Sequence, residues 1–210
     1  MGIGYYALGA CILVYYCSCH EKYYAMLENC FLPVVVVMSW FGFLCCTVSK
    51  LHYRRPYPFQ RKLWSICSFG FQFVLVSSVV YARYYDSLIN NAISFPNHHT
   101  RYVVYLLVSV FFFSSHIPEK FYPGTFDFIG QGHQIFHIMV SFVTFEQFNA
   151  AMIDISYQTR LLTNHKPRAD QIVLAMLAFT VLVLTTIYFL RPTIQNRVKE
   201  DSELEQMWKK

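Results

Sequence analysis

Six apolar runs punctuate the chain, at about residues 2–19, 31–48, 63–82, 99–115, 133–153 and 171–190. Each is close to the ~20 residues that a helix needs to cross a bilayer. The runs at 63–82 and 171–190 contain no Asp, Glu, Lys or Arg. None shows the period-two alternation of a membrane barrel strand. Inside a bilayer the backbone finds no water to bond, so uninterrupted runs of this length fold as helices. The expected fold is all-α, a polytopic transmembrane bundle of about six helices over residues 1–190. A charged tail, 191–210, follows it. Pro192 stands directly after the sixth run, where it is expected to stop the helix.

The remaining composition fits this class. Charged residues make up 14% of the chain, against ~25% in soluble domains. The aromatic share is 19%, with 20 Phe and 16 Tyr, which suits lipid-facing surfaces and interfacial belts. A net charge of +5 does not point to nucleic acid. Lys and Arg lie in short segments between apolar runs and form no basic patch interleaved with aromatics. The bilayer itself is the expected surrounding. The seven cysteines include no CxxC pair and fall mostly within apolar runs, where thiols behave as small hydrophobes. No basic segment precedes the first apolar run, so the start does not read as a secretory signal. It reads as a truncated or internal start.

Basic residues set the expected orientation. Lys50, Arg54, Arg55, Arg61, Lys62 and Lys120 fall on the same side as the five basic residues of the tail. The opposite side holds Lys22, Arg83, Arg101, Arg160, Lys166 and Arg168. The richer side is expected to be cytoplasmic, which places both ends of the chain there. The membrane is the plasma membrane or an internal one.

Chemistry concentrates between Ser115 and His137. Pro118, Pro123, Gly124, Gly130 and Gly132 break helical continuity before a helix opens at His133. His133 and His137 are four apart and share one helix face, the spacing that lets two imidazoles bind one zinc ion. Ser141, Thr144, Gln147 and Asp154 lie within about 80° of His133 around the same helix. They form a polar stripe that is expected to face the bundle, because polar groups at membrane depth seek protein or water. Spacing alone leaves two readings open: a shared metal, or two histidines bonded to neighbouring helices. Two ligands do not close a tetrahedral site.

The string Pro118-Glu119-Lys120-Phe121-Tyr122-Pro123-Gly124, then Phe126-Asp127, then Gly130-Gln131-Gly132-His133-Gln134-Ile135-Phe136-His137 resembles the signature of the progestin and adipoQ receptor family. The helix layout is similar along essentially the whole chain. The resemblance implies a bundle of seven helices, or eight in the membrane progestin receptor branch. One apolar run follows the signature helix here, and Phe145-Glu146-Gln147-Phe148 is more similar to that branch. The six runs then correspond to the family's third to eighth helices, and the chain is expected to be an N-terminally truncated member. The resemblance also implies an intramembrane zinc site, with His133 and His137 as two ligands. A third His on the second helix and a nearby Asp at the start of the third complete the family's site. Met1-Gly2 corresponds to the end of that Asp motif.

Three functions follow from this resemblance. The first is a membrane receptor for progestin-like steroids with an intramembrane zinc. The second is a zinc-dependent lipid amide hydrolase, taking a ceramide-like sphingolipid. The third is an inactive truncated form, because two ligands hold zinc poorly.

Overall fold

The structure, a computed structural model, describes residues 2–54, 58–89, 98–115, 117–122, 124–126, 128–157 and 168–208. Among these there is no strand, and the chain is all-α as expected. The helices are α1 (Gly2–Ser18), α2 (Glu21–Leu27), α3 (Phe31–His52), α4 (Phe59–Ile89), α5 (His98–Ser115), α6 (Gly132–Tyr157) and α7 (Ala169–Trp208). By length and composition, α3, α4, α6 and α7 each contain a segment able to cross a membrane. The other two long apolar helices are shorter, 17 residues in α1 and 18 in α5. Pro123 and Asp127 of the signature loop lie outside the described residues.

Large apolar side chains cover the outer faces of these helices. On α7, Leu174, Leu177, Val181, Leu184 and Tyr188 recur at helical spacing and are each more than half exposed. Val34, Val37, Phe41 and Val48 recur likewise on α3, each more than two-fifths exposed. A water-soluble surface does not carry apolar faces of this extent. In lipid they cost nothing, because acyl chains are as apolar as Leu. The chain is an integral membrane protein.

The chain divides into two compact units. The first comprises residues 1–9, 28–73 and 168–210. Here α3 packs on α7, and polar groups in its interior meet in pairs. Trp40 Nε1 donates to Thr186 Oγ1 at 2.9 Å. Gln72 Nε2 donates to Ser39 Oγ at 2.7 Å, with both residues fully buried. Tyr5 Oη and Thr180 Oγ1 share a bond of 2.7 Å. Each pair satisfies groups that lipid could not.

The expected stop at Pro192 does not occur. Pro192 sits inside α7, which continues to Trp208. An interior proline costs ~3 kcal/mol or more, and tertiary contacts beyond it offset part of that cost. Arg197 Nη2 donates to Tyr53 O at 3.4 Å, and Glu200 pairs with Arg54 at 3.2 Å.

The second unit comprises residues 10–27 and 74–167. Its main contact is α5 against α6. Tyr105 stacks on Phe142 with ring centroids 5.6 Å apart, and Phe113 meets Phe136 at 5.1 Å. The short α2 was not expected from the sequence. It opens at His20, whose carbonyl accepts from the amides of Tyr23 and Tyr24. Tyr24 then stacks on the buried Tyr15 at 4.9 Å, and Tyr15 Oη donates to Tyr24 O at 3.2 Å.

Candidate metal centres at the two ends of α6

The first centre is built by the way α6 begins. Gly130 has φ of +86°, in the left-handed region that glycine enters freely. Its amide donates to Gln134 Oε1 at 2.8 Å, and Gln134 Nε2 donates back to Phe128 O at 2.9 Å. At Gly132 the amide donates to Glu119 Oε1 at 2.8 Å. A Cβ on Gly132 would lie 2.5 Å from Ile117 O, so no larger residue fits without moving backbone. The PEK segment therefore caps α6: Glu119 supplies an anionic acceptor to an otherwise orphan helix N–H. Glu119 Oε2 is buried and has no partner among the described residues.

One residue beyond this cap stands His133. The Nε2 atoms of His133 and His137 are 3.2 Å apart, with ring planes at 84°. Phe136 stacks against His133 with centroids 5.7 Å apart. Two Zn–N bonds of ~2.05 Å at a tetrahedral angle span about 3.3 Å. The pair therefore fits as two imidazole ligands of one zinc ion. Both histidines are exposed, as are Ser141 and Thr144, while Gln147 is half-buried. Ser141 Oγ donates to His137 O at 3.0 Å and Thr144 Oγ1 to Val140 O at 2.9 Å. Their hydroxyls are thus satisfied within α6 itself. Together with Phe145, Phe148 and Asn149 they line a shallow open groove.

The second centre lies at the other end of α6. Asp154 is fully buried. Its Oδ1 is 3.0 Å from His98 Nε2, and its Oδ2 is 2.8 Å from His99 Nε2 and 3.0 Å from Arg83 Nη1. Arg83 Nη1 also donates to Ser18 O at 3.1 Å. Four helices thus converge on one carboxylate. A buried carboxylate is tolerable only when charge and hydrogen bonds compensate it, and here a guanidinium and two imidazoles do so. The donor atoms of His98, His99 and Asp154 lie within 4.8 Å of one another, so this group could hold a metal ion.

The sequence placed Asp154 on the His133 face but gave it no partner. The available signal was an Arg and an Asp at the ends of two apolar runs on one expected side of the membrane. Nothing in the spacing of His98 and His99 marked them. The expectation of buried thiols holds for Cys11, Cys17, Cys19 and Cys45, while Cys30 and Cys67 are exposed.

Comparison with known proteins assigns the family. The profile described as haemolysin-III related matches residues 1–148, a span that includes both His133 and His137 and stops before Asp154. Membrane progestin receptor beta of Mus musculus is 33% identical over 96% of this chain, which covers 58% of that protein. Membrane progestin receptor alpha-B of Danio rerio is 28% identical over 97% of the chain, again covering 58% of its length. Membrane progestin receptor gamma of Mus musculus is 31% identical over 61% of the chain. The chain thus spans under two thirds of the length of these relatives. No solved structure gives a significant match. With a family profile over more than two thirds of its residues, the chain belongs to the haemolysin-III-related family, the progestin and adipoQ receptors, and is similar to the membrane progestin receptors.

Proposed function

We propose that the chain forms part of a membrane receptor for a progestin-like steroid, and that His133 and His137 are two ligands of its zinc ion. The similarity to membrane progestin receptor beta along nearly the whole chain carries the receptor reading. The 3.2 Å approach of the two Nε2 atoms supports the zinc. In this reading Glu119 and Gly132 set where α6 starts, and so where His133 stands. Neutral imidazoles bind through Nε2, and Phe136 holds the His133 ring in place. A bound zinc ion would supply Lewis acidity and a fixed positive charge at that membrane face. Both chain ends are taken as cytoplasmic, which protease access to terminal tags in sealed vesicles will test.

Equilibrium binding of a labelled progestin to membranes carrying the chain tests the receptor reading. Saturable binding is expected, and it persists in His137→Ala if zinc serves only the architecture. No saturable binding above mock membranes contradicts it.

A second reading, a zinc-dependent lipid amide hydrolase, is favoured by one feature. The groove lined by Phe145 and Phe148 reaches Ser141, one turn beyond His137 on α6, and suits an acyl chain. Ceramide turnover that disappears in His137→Ala selects this reading.

A further inference from the structure

We infer that His98, His99 and Asp154 form a second transition-metal site, at the opposite end of α6 from the histidine pair and independent of it. The donor set is two imidazoles and one carboxylate, the combination that binds Zn²⁺ in open three-ligand sites. The rings themselves point to a built site. Consecutive helical residues project about 100° apart, yet His98 and His99 turn their Nε2 atoms onto one carboxylate at 3.0 and 2.8 Å. Their ring centroids are only 4.5 Å apart.

His99 is almost fully buried, and among the described residues its Nδ1 has no hydrogen-bond partner. Its polar bonding is directed at Asp154 alone. The two imidazole nitrogens lie 3.0 Å from Oδ1 and 2.8 Å from Oδ2, and one donor atom from each of the three residues lies within 4.8 Å of the others, close enough for a metal to draw them towards the ~3.3 Å edges of a tetrahedral site. Arg83 remains on Oδ2, where it fixes the carboxylate as outer partners of metal ligands do. The fourth position is left to water or a ligand. The ion expected is Zn²⁺ or a similar borderline cation, not Ca²⁺ or Mg²⁺, which require oxygen-rich sites.

Zn²⁺ titration of the chain in lipid nanodiscs, in a His133→Ala/His137→Ala background, tests this site. One Zn²⁺ per chain is expected, with Co²⁺ giving the visible absorption of a low-coordinate nitrogen–oxygen site. Adding His98→Ala and His99→Ala should remove it. No Zn²⁺ in the His133→Ala/His137→Ala background, or binding unchanged when His98 and His99 are removed, overturns the inference and leaves a hydrogen-bonded clasp.

Discussion

The two ends of α6 solve the problem of polar groups in a membrane protein in opposite ways. At the start, His133 and His137 belong to one helix, stand exposed, and are placed by a loop. At the end, Asp154 is buried and is neutralised by groups from other helices. His133 and Asp154 are 21 positions apart, about 30 Å along the helix, close to the thickness of a hydrocarbon core. One helix thus carries a donor cluster near each membrane face. The first is local and cheap to form. The second exists only when α1, α4, α5 and α6 have assembled, so it acts as a lock on tertiary structure.

That contrast orders the expected effects of substitution. Asp154→Ala should be the most damaging change, leaving Arg83 and two histidines around an apolar cavity. Breaking one side of a buried ion pair costs ~3–5 kcal/mol. Thermal unfolding in nanodiscs should show a large fall or no folded chain. Gly132→Ala comes next, since its Cβ meets backbone rather than a movable side chain. A cost of ~1–3 kcal/mol is expected, together with weaker metal binding at the histidine pair.

Glu119→Gln keeps an acceptor for the Gly132 amide and loses the charge, so about 1 kcal/mol should be lost. The same melting curves will read it. Ser141→Ala should be silent, within ~0.5 kcal/mol, because that hydroxyl bonds only its own helix. A destabilisation by Ser141→Ala comparable to that of Gly132→Ala would break the distinction between a local and an assembled end.

The sequence reveals these ends unequally. Apolar run length is enough for an all-α membrane fold, because a bilayer admits few alternatives. The His133/His137 pair is legible because an i, i+4 spacing is a property of a single helix. So is the need for glycine at the turn before it. Asp154 and its partners are not legible: Arg83, His98 and Asp154 are far apart in sequence, and periodicity carries no information about which helices meet. Two errors of local reading have the same origin. Pro192 reads as a terminator, yet Arg197 and Glu200 dock the helix beyond it. Residues 21–27 read as a connection, yet the stacking of Tyr24 on Tyr15 organises them as α2.

The central claim is that His133 and His137 hold one metal ion together. Zn²⁺ affinity should be measured in nanodiscs on a His98→Ala/His99→Ala chain, adding His133→Ala and His137→Ala singly and then jointly. Shared coordination predicts that either single change removes the site, so that the double change costs no more than one. Two single variants that each retain most of the affinity, with losses that add in the double, would contradict it and leave two histidines acting separately.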